Sequence, residues 1–285
     1  MTSGGVAASG TFTLGGDLTV NRLGFGAMRI TGEGIWGEPR DPDECRRVLR
    51  RSIELGVNLI DTANSYGPEV SERLIGETLH PYPDGLVIAT KGGFTRPGPN
   101  RWVADGRPEA IREAIEGSLA RLKLERIDVH QFHTPDKNVP FADSVGTFAE
   151  LQKEGKIRHV GLSNVSVDQI EEARSIVPIV SVQNRYNLED RSSQGVLDQC
   201  EREGIGFIPW APVGGKGLAD GGPVAEIARS RGATPSQVGL AWLLRRSPVM
   251  LPIPGTSSVA HLEENCAAAD LDLTDEEFAG IDAPA

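Results

Sequence analysis

Apolar and polar positions along the chain switch repeatedly between two periods. Short apolar runs, continuous or alternating, are each followed by a stretch with apolar residues at helical spacing. The first signal is a pair of alternating runs, Thr11 to Leu14 and Leu18 to Asn21, flanking Gly15-Gly16-Asp17 and predicting a β-hairpin. Strand-like runs then lie at 23–28, 58–63, 86–91, 127–133, 157–164, 179–187, 206–213 and 249–254. Helical spacing fills 42–55, 70–79, 108–122, 141–154, 167–174, 193–203, 223–231, 235–246, 259–269 and 275–281. Asp41 is placed to cap the first helix and Gly56 to close it.

Eight strands alternating with helices imply an α/β protein with a parallel sheet. One (β/α)8 TIM barrel with an N-terminal hairpin and extra helices fits best. A doubly wound sheet fits less well, because Gly24-Phe25-Gly26 lies within the first strand and lacks the third glycine of a dinucleotide fingerprint. No composition shift divides the chain, so residues 11–285 are expected to form a single domain behind a flexible leader, residues 1–10.

Composition narrows the function classes. The 285 residues carry 29 Lys+Arg against 40 Asp+Glu, a net charge of -11. Such a chain has no general attraction for nucleic acid or an anionic membrane. Cys45, Cys200 and Cys266 are far apart and sit in helical patterns, as reduced packing residues of a cytoplasmic protein would. No Cys/His spacing suggests a metal site. The first residues lack the basic and apolar regions of a signal peptide, and no apolar run is long enough to span a membrane.

In a barrel the chemistry sits at the C-terminal ends of the strands, and side chains alternate inward and outward. One parity set carries Leu59 and Asp61; another carries Val87, Ala89 and Lys91; a third carries Val129, Gln131 and His133. Each is apolar at depth and polar near the tip. If these sets face inward, Asp61, Lys91 and His133 converge over the mouth, and the next loop brings Tyr66 above them. Singly, each has a plainer reading: a turn aspartate, a surface tyrosine, a solvated loop lysine, a structural histidine. Together they make chemical sense. A nearby ammonium should lower the Tyr66 pKa from near 10, and a tuned phenol is a proton donor to a carbonyl oxygen. His130, on the opposite parity, reads as packed under a helix.

NLIDTANSYG, ATKGG and IDVHQFHTPD, in that order, resemble the Asp, Tyr, Lys and His tetrad of the aldo-keto reductases. IRHVGLSN, SVQNRYN, IPWAPVGGKGL and IPGTSSVAHLEEN continue the resemblance over nearly the whole chain after the hairpin. It implies reversible, NADP(H)-dependent reduction of a small-molecule carbonyl, with Tyr66 as general acid, Lys91 and Asp61 tuning it, and His133 orienting the substrate. It places Ser163, Asn164 and Gln183 on the nicotinamide carboxamide and Trp210 on the ring face. Gly214, Gly215 and Lys216 would hold the pyrophosphate. Gly255, Thr256, Ser257 and His261 would face the adenosine phosphate, aided by the N-terminus of the helix that begins near Val259, and Asn265 matches a position that contacts adenine. The family frequently has basic residues there; this chain has Gly255 and His261. Trp36 and Trp102 either rim the substrate pocket or merely cover the barrel. A nicotinamide-binding sensor with little turnover is the rival from another class. Oligomeric state is not legible.

Overall fold

The computed structural model describes residues 5–214 and 221–282. Gly5 is followed by a 3-10 turn, Val6–Ser9, and then by the hairpin β1 (Thr11–Leu14) and β2 (Leu18–Asn21). The first half of the barrel is β3 (Phe25–Gly26), α1 (Pro42–Glu54), β4 (Leu59–Asp61), α2 (Val70–Leu79) and β5 (Val87–Gly92). A second hairpin, β6 (Phe94–Gly98) and β7 (Arg101–Ala104), precedes α3 (Pro108–Leu122). Then come β8 (Ile127–Phe132), α4 (Phe141–Lys153), β9 (Ile157–Ser163), α5 (Val167–Arg174), β10 (Ile179–Gln183), α6 (Gln194–Glu203) and β11 (Gly206–Phe207). Helices α7 (Gly222–Arg231), α8 (Pro235–Arg246), α9 (Val259–Ala267) and α10 (Asp275–Asp282) complete it.

Seven strands pair in parallel in the order β3-β4-β5-β8-β9-β10-β11. Residues 249–254 close the ring without forming a regular strand. Phe207 N–H donates to Val249 O at 2.8 Å on one side, and Gly24 N–H to Pro252 O at 2.9 Å on the other. Pro252 and Pro254 have no N–H to return, which is why the expected eighth strand is only a half-bonded ribbon. Gly26 and Gly255 face each other across this seam; a Cβ on Gly255 would stand 2.6 Å from Gly26 O.

The parity read from the sequence holds. Leu59, Val87, Ala89, Val129, Val180, Ile208, Leu251 and Ile253 fill the barrel interior, while Ile60, Ile88, Ile115 and Phe148 pack between strands and helices. Leu14, Leu18 and Val20 of the first hairpin join the interior cluster and plug its floor. Asp17, at the hairpin turn, accepts from Arg158 and His159, each at 2.6 Å, and these partners hold its carboxyl below the usual range.

Two expectations need correction. The leader is not flexible up to residue 10: Val6 is fully buried and its N–H donates to Leu55 O at 2.9 Å. The stretch after β5, where the periodicity predicted no element, forms the β6–β7 hairpin, which turns at Pro99-Asn100 and leans over the mouth. Among the described residues no helix is long and apolar enough to cross a membrane.

Candidate active site

Asp61 ends β4, Lys91 lies near the end of β5, and His133 follows β8; Tyr66 sits on the loop after β4. The structure brings all four together, buried at the barrel mouth. Lys91 is the hub. Its ammonium donates to Asp61 Oδ1 at 2.5 Å, to Thr62 O at 2.8 Å and to Tyr66 Oη at 3.2 Å. An ammonium has three protons and no lone pair, so all three are accounted for and Tyr66 Oη is the acceptor. The tyrosine's own proton must therefore point away from Lys91.

The electrostatics differ from the sequence expectation in one respect. Burial pushes the Tyr66 pKa up, and the opposing pull of Lys91 does not overcome it, so the phenol stays above its ordinary value. Burial also works against the Lys91 ammonium, but Asp61 and Tyr66 outweigh it and its pKa rises. The result is a charged lysine beside a protonated tyrosine. His133 is held well below its ordinary pKa by burial, with Lys91, His130 and Arg96 adding to the shift, so its imidazole is neutral. Its Nδ1 lies 3.4 Å from Ser65 Oγ. His130, three residues earlier on the outer face of β8, packs on Phe148; its nitrogens have no partner, and burial lowers its pKa to about 3.

Above this centre opens a cavity of about 710 Å³. Its walls include Asp61, Tyr66, His133, Ser163, Asn164, Gln183, Trp210, Gly214, Gly255, Thr256, His261 and Asn265. Lys216, like Gly215, lies outside the described residues. Asn164, at φ +58, is a joint rather than a free ligand. Its Oδ1 accepts from Trp210 Nε1 at 3.0 Å, and its Nδ2 donates to His133 O at 3.0 Å and Ser163 Oγ at 3.1 Å. These bonds fix the Trp210 indole as a wall of the cleft, so it is not a core tryptophan.

Trp102 and Phe94, both on the β6–β7 hairpin, face Tyr66 and His133 edge-on, with Phe94 and His133 ring centres 4.7 Å apart. Trp36 stands elsewhere. It does not line the cavity; it bridges to Gly67 and lies 5.7 Å from the guanidinium of Arg96. Arg96, missed in the sequence, stacks on Trp102 at 3.8 Å. It donates to Arg101 O, Ser65 O and Gly34 O, clipping three loops together.

The far end of the cleft also differs from expectation. Ser257 does not line it. The α9 N-terminus already donates, from Val259 N–H to Glu44 Oε1 at 2.9 Å, and this bond holds the Glu44 pKa down. Arg29, Ser236 and Glu264 join the wall. Arg29 makes no ion pair with any described residue, and its Cγ would lie 3.6 Å from a Cβ on Gly255. A charged residue three positions after the Gly-Phe-Gly of the first strand was the only signal for it.

The sequence and the barrel that carry this site are matched by known proteins. The model of the Aldo/keto reductase family matches residues 22–284. The chain belongs to the aldo-keto reductase family. It is 52% identical over 268 residues to an uncharacterized oxidoreductase of Schizosaccharomyces pombe, covering 94% of this chain and 87% of that one. It is 44% identical over 282 residues to pyridoxine 4-dehydrogenase of Escherichia coli, covering 96% and 98%. Among solved structures, glycerol dehydrogenase from Gluconobacter oxydans superposes with a TM-score of 0.87 at 28% identity, over 96% of this chain and 94% of that one. An aldo-keto reductase from Klebsiella pneumoniae in complex with NADPH superposes at 0.82 and 26% identity, over 95% and 93%. As a member of the family, this chain is an oxidoreductase of carbonyl compounds.

Proposed function

We propose that this aldo-keto reductase interconverts an aromatic or heteroaromatic aldehyde and its alcohol, with NADP(H), and that the 4-aldehyde of pyridoxine is a substrate. The observation that carries the chemistry is the Lys91 bond to Tyr66 Oη, which leaves the phenol proton free for a carbonyl oxygen. The aromatic preference rests on Phe94, Trp102 and Trp210 around the cavity and on the likeness to pyridoxine 4-dehydrogenase.

The cavity suits a nicotinamide cofactor. It is long enough to run from Gln183 to Asn265, the indole of Trp210 in its wall is held by Asn164, and the Gly26–Gly255 seam has no side chain that would obstruct a phosphate chain. Ser163 and Gln183 would hold the carboxamide, with Asn164 bracing them. Trp210 would cover the ring. Gly214 and Arg29 would face phosphate, and Thr256, His261 and Asn265 the adenosine end. NADPH, when bound, supplies the hydride.

The chain's own residues do the rest. Ser65 Oγ lies 3.4 Å from His133 Nδ1; with Ser65 as the donor, the neutral imidazole would carry its proton on Nε2 and present it to the carbonyl oxygen. Tyr66 donates its proton to that same oxygen as charge develops there. Lys91 then stabilises the phenolate left behind, and Asp61 keeps Lys91 charged. The hairpin aromatics exclude water from the reacting atoms. The buried thiols, pushed up to about 11 for Cys45 and about 12 for Cys200 and Cys266, suit a reducing cytoplasm.

The test is NADPH consumption with a panel of pyridoxal, substituted benzaldehydes and aliphatic aldehydes, with product identification. Aromatic members should show the highest kcat/KM. Tight NADPH binding without turnover of any carbonyl would overturn the enzyme reading and leave a nicotinamide-binding sensor. Aliphatic preference would overturn the substrate class.

A further inference from the structure

Inside the barrel, Asp61 Oδ2 faces away from Lys91. It accepts two side-chain amides: Gln131 Nε2 at 3.0 Å and Gln183 Nε2 at 2.9 Å. Gln183 Nε2 also reaches Gln131 Oε1 at 3.4 Å. All three residues are buried. A carboxylate paired with an ammonium has no proton to give, so it fixes which end of each amide points at it. Both amide hydrogens of Gln183 are thereby used, one on Asp61 and one on Gln131. What remains is Gln183 Oε1, which accepts no hydrogen bond from a described residue and lies on the cavity wall.

We infer that Gln131 is a positioning residue that sets the Gln183 amide with its oxygen toward the nicotinamide and holds Asp61 square to Lys91. The inference rests on the proposed nicotinamide site. Gln183 Oε1 then accepts from the carboxamide NH₂, while Ser163 Oγ, which accepts from Asn164, has its proton free for the carboxamide oxygen. Donor and acceptor on opposite sides allow the carboxamide one orientation, and so present one face of the ring to the substrate. Space for Gln131 is built in: a Cβ on Gly161 would stand 2.7 Å from Gln131 Cγ and 2.3 Å from Ser181 Oγ. The titratable groups around the pair are Asp61, Lys91, Tyr66 and His133; β9 and β10 contribute Gly161, Ser181 and Gln183, none of which titrates.

Two variants test this. Gln131→Met keeps the volume and removes both amide functions. It should raise the NADPH dissociation constant, read by tryptophan fluorescence, by about tenfold, as expected for losing one hydrogen bond to a charged network. With NADPH deuterated on one face or the other of C4, it should also mix the two transfers that the parent keeps separate. Gln131→Glu keeps the shape, so it serves if the methionine variant does not fold. Beside Asp61 a new carboxyl stays protonated in acid and donates as the amide does. Its NADPH affinity should approach the parent's at low pH and fall as pH rises, a dependence that a purely structural role would not produce. Parent-like affinity and deuterium transfer in Gln131→Met, or a pH-independent affinity in Gln131→Glu, would overturn the role. Absence of turnover in the parent with every carbonyl would instead strike at the proposed reaction, and the affinity measurements would still decide this one.

Discussion

The two ends of the cleft are built on different principles. At the barrel centre Lys91, Asp61, Gln131 and Gln183 are buried and each points a hydrogen or a lone pair at a specific partner. At the far end, past Gly255, Arg29 and His261 are exposed, and Glu44 and Glu264 are only part-buried. Acid and base mingle there, and the helix end that would suit a phosphate is already taken by Glu44. Burial makes the difference. A charge out of water must be paired or it costs several kcal/mol, so the centre admits few arrangements. The far end is screened by solvent and tolerates many. On the proposed function, reaction type would be set in the buried centre and cofactor preference in the exposed rim.

The largest effect should come from the centre. Tyr66→Phe removes only the proton donor, so kcat for aldehyde reduction should fall by about 10²–10⁴ while NADPH affinity stays the same. Near-normal kcat would remove Tyr66 from the reaction and erase the contrast.

Lys91→Met comes next and reports through pH. Burial raises the Tyr66 pKa and Lys91 opposes it, so loss of the ammonium should raise that pKa further. Alcohol oxidation needs the phenolate and rises with pH through the Tyr66 pKa; in Lys91→Met that rise should move to still higher pH. In the parent, reduction should show no acid limb near pH 6.5, because His133 is neutral until well below it. An unmoved profile in the variant would deny Lys91 its electrostatic role. The variant also strands buried Asp61, so its fold should be checked by circular dichroism.

Trp210→Ala samples the boundary between the regions. Losing its stacked face should weaken NADPH binding by roughly 1–2 kcal/mol. An unchanged dissociation constant would assign the indole to the substrate side alone.

The smallest effects belong to the rim. Glu44→Gln removes a carboxylate from the α9 N-terminus and should raise the NADPH-over-NADH ratio of kcat/KM by about two- to fivefold, with Arg29→Met lowering it similarly. Changes as large as those at the centre would show the rim to be as rigid as the core.

The helices and most strands were legible because period and burial agree: α2, α3 and α5 match the expected ranges, and Leu59, Ala89 and Val129 face inward as alternation required. The convergence of Asp61, Lys91 and His133 was legible because they occupy the same place at the tips of successive barrel strands, with Tyr66 on the loop after the first of them. What was not legible depends on contacts between distant segments. Asp61 meets Gln131 and Gln183 across 70 and 122 residues, a distance at which spacing carries no pattern. Arg96 works through backbone carbonyls, which are identical for every residue type. Which of its two readings Trp36 takes was not legible, because its position follows from Arg96. The β6–β7 hairpin did leave a trace, Pro-Gly-Pro-Asn between two short polar-apolar runs. The last strand fell short because two prolines cannot donate, however apolar their neighbours.

The plug made by Leu14, Leu18 and Val20 turns the barrel into a blind well. Among the described residues, what reaches Tyr66 arrives and leaves by the mouth rather than through the floor, and traffic through one doorway has a sequence. On the proposed function, the nicotinamide would be seated against the wall formed by Gln183 and Trp210 before a carbonyl compound stands in front of it, and the alcohol would depart before the spent cofactor. On that reading the closed floor prescribes a kinetic order: cofactor on first and off last.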